Sequence, residues 1–241
     1  MGILRTKTIE PATGSTLTLG ASGDTITVSS DSIKANTFKD AGGNTLFTSD
    51  GAGTLSSVNS ALAPAGPILI STSTASDSSS IDITSGIDST YDEYMFVCTD
   101  IHPRTDGMTF QFQFNASGGS GFNETITSTF FRAYHNENDS ETAFAYNVHA
   151  DQAQGTAYQT FGYTVDGDAD ASLAGILHLF SPSNTTYVTH FYGRSSYLGD
   201  GARNYDNYVA GYVNSTAAMD EISFKFSSGN IDGVIQMYGI S

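Results

Sequence analysis

Cysteine is nearly absent. Cys98 is the single one in 241 residues, so no intrachain disulfide can staple the fold. It stands in the apolar run Tyr94-Met95-Phe96-Val97-Cys98 and reads as a small buried core residue. Stability must then come from packing or from assembly. Long apolar runs are missing too. None reaches the ~20 residues that a membrane helix needs, and Met1-Gly2-Ile3-Leu4-Arg5 passes into Thr, Lys and Glu rather than into the apolar stretch of a secretory signal. Charge is scarce, at 14% of residues, against about a quarter in average soluble domains. Positive charge is scarcest, with nine Lys and Arg against 25 Asp and Glu. Aromatics are missing from the first sixty residues: all but Phe38 and Phe47 of the 15 Phe and 13 Tyr lie beyond them.

Each absence excludes something. The start of the chain is nearly balanced in charge, with Glu10, Asp24, Asp31, Asp40 and Asp50 facing Arg5, Lys7, Lys34 and Lys39, so almost all of the formal −16 belongs to the remainder. A body with that field repels nucleic acid, whose affinity comes from Lys and Arg neutralising phosphates, and repels anionic lipid surfaces. Divalent cations and neutral carbohydrates remain compatible with it, as does a plain solubilising role. The aromatic break divides the chain into a thin part built on Thr, Ser, Gly and Asp and a bulky part able to bury its own core.

What is present is period-two alternation. Leu17 and Leu19 alternate with Thr16 and Thr18; nine residues later Ile26 and Val28 alternate with Thr25 and Thr27, with Ala21-Ser22-Gly23-Asp24 as the turn between. Looser strands follow around Phe38 and Asn44-Thr45-Leu46-Phe47, with turns at Asp40-Ala41-Gly42-Gly43 and Asp50-Gly51-Ala52-Gly53. Such strands offer too few apolar side chains to be stable alone, so copies of the chain are the expected neighbours, sharing one core and covering the strand edges. Pro64, Gly66 and Pro67 break the chain, and 56–63 leaves room for one helical turn. From Ile68 onward a dozen short strand patterns follow, the cleanest being Met108-Thr109-Phe110-Gln111-Phe112-Gln113-Phe114-Asn115, with Met108, Phe110, Phe112 and Phe114 on one face. No segment carries a helical period. The expected fold is all-β: an N-terminal intertwined trimeric β shaft and an antiparallel, jelly-roll-like sandwich head. The expected divisions are 1–13 attachment peptide, 14–58 shaft, 59–67 linker and 68–241 head.

The run from Ala12 to Val28, the run from Asp40 to Val58 and the closing Gly233-Val234-Ile235-Gln236-Met237-Tyr238-Gly239-Ile240 resemble segments of phage fibre proteins, especially those of marine and cyanobacterial phages. The resemblance implies a homotrimer on the virion exterior, on tail or capsid, assembled in the host cytoplasm. It implies attachment to other virion proteins through the N-terminus and a C-terminal tip that binds a bacterial surface glycan or protein, without nucleic acid or membrane insertion. The alternative of another class is a capsid decoration or head-fibre protein with no receptor role.

Catalysis finds little purchase. Asp92/Glu93 and Asp220/Glu221 are paired carboxylates, but adjacent strand residues point to opposite faces. No nucleophile elbow, P-loop or dinucleotide fingerprint is present, so no enzyme is expected. His102, His135, His149, His178 and His190 lack metal-ligand spacing. Asp166, Asp168 and Asp170 alternate like the start of a calcium loop, yet Ala171 and Leu177 stand where that loop needs Gly and Glu; they are the weak candidates for calcium, and no other cofactor is expected. For recognition, Tyr187, Tyr192, Tyr197, Tyr205, Tyr208 and Tyr212 crowd one region with Arg194 and Arg203. Ser195–Asn207 reads as a long polar loop, which makes Arg194, Tyr197, Arg203 and Tyr205 the candidate receptor-binding residues, with the 116–124 and 135–141 turns as substitutes.

The shaft positions Leu17, Leu19, Ile26 and Val28 should face a neighbouring chain. Replacing Leu19 and Ile26 together with Asp puts charge into a narrow core, at several kcal/mol per chain. The double variant should sediment as monomer; an unchanged trimer melting temperature would sink the interdigitated shaft.

Overall fold

The computed structural model describes residues 37–40, 42–52, 54–59 and 66–240; Leu17, Leu19, Ile26 and Val28 lie outside them. The chain divides into two units, Met1–Pro64 and Ala65–Ser241. In the first, Thr37–Lys39 (β1), Thr45–Ser49 (β2) and Leu55–Ser56 (β3) form an antiparallel sheet in that order. Its turns follow Asp40 and Asp50, as expected, and are braced by those carboxylates. The Asp40 side chain accepts from the Asn44 backbone N–H at 2.8 Å and its amide at 3.0 Å; Asp50 accepts from the N–H groups of Ala52 and Thr54. These bonds, led by the Asn44 side chain at Asp40 and the Ala52 N–H at Asp50, hold both carboxyls below the ordinary Asp range. Phe38 lies opposite Phe47, and their rings stack at 4.5 Å. Ser56 closes β3 where a helical turn is expected to start.

The second unit is all-β, as expected, with no helix among the described residues. Its strands are Ile68–Ser78 (β4), Ile81–Ile83 (β5), Glu93–Pro103 (β6), Met108–Ala116 (β7), Ile126–Asn136 (β8), Thr142–Tyr146 (β9), Ala153–Gly155 (β10), Gln159–Val165 (β11), Leu173–Phe180 (β12), Thr189–Gly199 (β13), Arg203–Val213 (β14), Met219–Phe226 (β15) and Ile231–Ile240 (β16). They pair antiparallel in two runs of one nearly closed sheet. The long run is β4-β16-β6-β12-β13-β14-β8-β9, with β10 also beside β8; the short run is β11-β7-β15-β5. One backbone pairing, Val165 with Gly199, joins β11 to β13 and so one run to the other.

The alternation on β7 explains the core. Phe110, Phe112 and Phe114 are fully buried. Phe112 meets Phe191 of β13 at 5.3 Å, edge to face, and Phe224 of β15 meets Phe96 of β6 at 5.8 Å, so rings of the short run insert against the long one. Each such ring removes enough apolar area from water to contribute ~1.5–3 kcal/mol, with offset and edge geometries adding to it. The long run makes room with glycine. A Cβ on Gly193 would lie 2.7 Å from the Phe161 ring, and one on Gly175 3.0 Å from it. On the opposite face of β7, buried Gln113 donates to the carbonyls of Glu124 and Ala157 and accepts from the Phe114 N–H. One amide thereby fastens two loops to the short run.

Phe112→Ala should lower the unfolding free energy by about 3–5 kcal/mol, the transfer and cavity cost of a buried ring. Chemical denaturation read by tyrosine fluorescence checks this. A loss under 1 kcal/mol, on the order of a surface change, would mean that the rings do not bind the two runs together.

Candidate functional site

The segment expected to be a loop is strand. β13 and β14 pair residue by residue from Thr189/Val213 to Gly199/Arg203, leaving only Asp200, Gly201 and Ala202 as the turn. Gly, Ser, Asn and Asp usually mark turns, but here they alternate in and out with period two: along β13 every odd position from Thr189 to Gly199 is buried and most even ones are exposed. The four candidate receptor residues are thereby separated. Arg194 lies on the outer face. Tyr197 and Tyr205 point inward and are each 3% exposed, so neither ring can stack on a ligand from outside; for these two the expectation is corrected. Arg203 is half-buried and engaged, donating to Asn136 Oδ1 at 2.7 Å and to Glu141 at 2.9 Å.

The inward pair has a structural task. Tyr197 Oη donates to the Tyr163 carbonyl at 2.6 Å and accepts from the Tyr163 N–H and from Asn207 Nδ2, each at 3.0 Å. Ser195 Oγ donates to the Phe161 carbonyl at 2.5 Å. Side chains of β13 and β14 therefore grip the backbone of β11 where the ladder between the runs is a single pairing. Burial pushes the Tyr197 phenol well above its ordinary range, with the Asn207 bond opposing less strongly.

The outer face is different. Residues directly opposite in antiparallel strands share a face, so the registers define rows across the long run. One row is Gln236, Val97, Ile176, Arg194, Tyr208, Phe131 and Tyr146. Phe131 stacks on Tyr208 at 4.9 Å and 9°, and meets Phe144 at 5.5 Å. The neighbouring row holds Tyr238, Met95, His178 and Tyr192; His178 stacks on Tyr192 at 4.7 Å, and Phe180 meets the same ring at 5.3 Å. Four of the large exposed apolar groups lie here: Tyr192 is 50% exposed, Ile176 40%, Tyr146 52% and Phe144 71%. On the side of the first row away from Tyr192, an open groove of about 500 Å³ is lined by Val97, Thr99, Ala174, Ile176, Arg194 and Asp206 among others. Arg194 is held over the Tyr208 ring at 5.1 Å and forks onto Asp206 at 2.8 and 2.7 Å. That pair, chiefly through Arg194, keeps the Asp206 carboxyl below the ordinary range.

Sequence reading missed His178, Phe180, Phe131 and Ile176. On β12 both faces are apolar, with Leu173, Leu177 and Leu179 inside and Ile176 and Phe180 outside, so composition could not tell the faces apart. His178, expected as a hydrogen-bonded sheet residue, bonds Glu93 at 2.5 Å. Asp166 Oδ1 accepts the Asp168 N–H at 2.8 Å and Asp106 takes the Gly167 N–H, so the Asp166–Asp170 segment is tied into a turn. No group of three or more His, Cys, Asp or Glu among the described residues is arranged to hold a metal ion. The 135–141 turn is closed by His135–Asp139 and by Tyr134 donating to Glu141. What the outer face offers is flat aromatic area, a groove and one oriented ion pair. That is the chemistry of ring stacking and hydroxyl hydrogen bonds.

No family model, curated protein or solved structure matches the chain.

Tyr197→Phe should cost about 1–3 kcal/mol by orphaning the Tyr163 and Asn207 groups in a dry site. The raised phenol also sets a pH dependence. Its contribution is fully present below the unfolded tyrosine value of about 10 and is lost as pH rises through the higher folded value. The alkaline unfolding midpoint should therefore move less with pH in the Phe variant; identical alkaline profiles would contradict the buried role.

Proposed function

We propose that the chain is a homotrimeric phage virion fibre that attaches to the host cell surface through its second unit, with a surface glycan as ligand. The carrying observation is the exposed aromatic platform of Tyr192, His178, Phe180, Ile176, Tyr208 and Phe131 on the long run, with the groove along one side of it. A patch of this kind on a soluble body is an interaction surface. Sugar rings present C–H faces that stack on flat aromatics, and Arg194 with Asp206 supplies a donor and an acceptor for hydroxyls at the groove wall. An acidic body gains nothing from long-range attraction to anionic cell surfaces, so short-range stacking carries the binding, and binding should depend only weakly on salt. On this reading the two strand runs are the layers of a jelly-roll-like sandwich, and residues 14–58 form the intertwined shaft. The Phe38–Phe47 pair supports the shaft: it is the one ring contact of a three-stranded sheet that leaves Leu55 and Val58 exposed, and such a sheet needs neighbours.

A second reading is favoured by the same exposure. An apolar platform also suits burial against capsid proteins or copies of this chain, as in a decoration protein. The double variant Tyr192→Ala with Ile176→Ala separates the two. Host attachment requires adsorption of the purified protein to host cells to fall roughly tenfold or more, as for loss of a binding hot spot, with unchanged mass by light scattering. A fall in mass or in virion incorporation, with adsorption per particle intact, would turn the assignment to decoration.

A further inference from the structure

The second unit has four arginines, Arg104, Arg132, Arg194 and Arg203, in a strongly acidic body. Three have carboxylate partners: Arg104 with Asp232 at 2.6 Å, Arg194 with Asp206 at 2.7 Å and Arg203 with Glu141 at 2.9 Å. Arg132 has none among the described residues, although acids outnumber bases throughout. Its place is also unusual. Ile126, Ser128 and Phe130 precede it at the inward positions of β8 and are buried; Arg132 and then Tyr134 continue that face beyond the core. The half-buried guanidinium lies 5.1 Å from the Tyr205 ring centre, 5.4 Å from Tyr163 and 5.9 Å from Tyr134. Three rings thus contact the cation, but rings accept no in-plane N–H bond, and a guanidinium carries five donors. Opposite Arg132 and Tyr134, β9 places only Ala145, which is exposed, and Ala143, so one side of the guanidinium is left without bulk.

We propose that Arg132 is the anchor of a binding site for the carboxylate of an acidic sugar of the uronic-acid class. A planar carboxylate fits the guanidinium fork edge on. Tyr134 and Tyr163, both half-buried, border the site with ring area, and Tyr163 adds a hydroxyl, for a sugar attached to that carboxylate. Arg203, whose guanidinium sits 5.2 Å from the Tyr134 ring, is paired there with Glu141, which leaves Arg132 as the arginine without a carboxylate at this end of the unit. The aromatic cage keeps the arginine in place before the ligand arrives, so little side-chain freedom is lost on binding. The site faces inward and is distinct from the outer platform. It stands whether or not the host-attachment reading does.

The test titrates the intact chain by calorimetry with a short oligogalacturonate, a neutral glucan oligomer, a sulfated oligosaccharide and a peptide with a free C-terminal carboxylate. The oligogalacturonate should bind through Arg132, and any binding of the neutral glucan should be the same with and without Arg132. Arg132→Met should weaken binding by roughly tenfold or more, the worth of a charge-assisted pair, and Arg132→Lys should restore little, because an ammonium cannot fork. Ala145→Glu supplies an internal carboxylate at an exposed position and should block the site without touching the core, which keeps the test valid if Arg132→Met folds poorly. Failure of oligogalacturonate to bind, or binding by Arg132→Met and Ala145→Glu as tight as the parent's, overturns the proposal. Tighter Arg132-dependent binding of the sulfated sugar or of the peptide overturns the ligand class. The Tyr192→Ala, Ile176→Ala variant should bind oligogalacturonate as the parent does, which distinguishes failure here from failure of the outer-face reading.

Discussion

Phe112 touches rings from three other strands, Phe161 of β11, Phe191 of β13 and Phe224 of β15, and everything else in the second unit is arranged around that contact. The two strand runs share almost no ladder, so backbone hydrogen bonds cannot hold them together. Interdigitated phenylalanines do so, and strand glycines beneath Phe161 let the two runs approach. Where the rings end, hydroxyls take over: Ser195 and Tyr197 bond the carbonyls of β11 that a neighbouring strand would otherwise have taken. With no disulfide available, the unit is closed by aromatic volume at its centre and by side-chain hydrogen bonds along one seam.

That division of labour governs what was legible in the sequence. The Phe110, Phe112, Phe114 alternation announces its face without ambiguity, because the intervening Thr and Gln are polar. The all-β class, most of the strands from β6 to β16 other than β10, and the turns at Asp40 and Asp50 follow from the same logic. The middle of the hairpin, residues 195–207, did not. Its Gly, Ser, Asn and Asp residues are those of a loop, and their burial in a strand becomes sensible only once Gly193 is seen under a ring and Asn207 bonded to Tyr197. Turn composition reports local preference, whereas here the requirement comes from residues 30 or more positions away, such as Phe161 and Tyr163.

The tyrosines show the same effect at the candidate site. As a group they fall on one hairpin, but pleat alternation sends Tyr197 and Tyr205 to the seam and Tyr192, Tyr208 and Tyr212 to the surface. An outward aromatic face and a structural face are thus written into consecutive residues of one strand pair. The partners that complete the outer platform, His178, Phe180 and Phe131, come from strands whose neighbours are equally apolar, so only the register could assign them.

The Asp-capped turns carry a consequence for acid. Asp40, Asp50 and Asp88 each use a carboxylate to accept backbone N–H groups of the following residues, and those bonds hold their carboxyls below the ordinary range. Their stabilisation is present above the unfolded carboxylate value and fades as pH falls through the folded one. Acidification also relieves the mutual repulsion of a surface that carries most of a formal −16. The two effects oppose each other. The excess of Asp is therefore not merely a coat of charge: part of it is backbone architecture, and a medium sour enough to quiet the field would also begin to untie the corners that shape the chain.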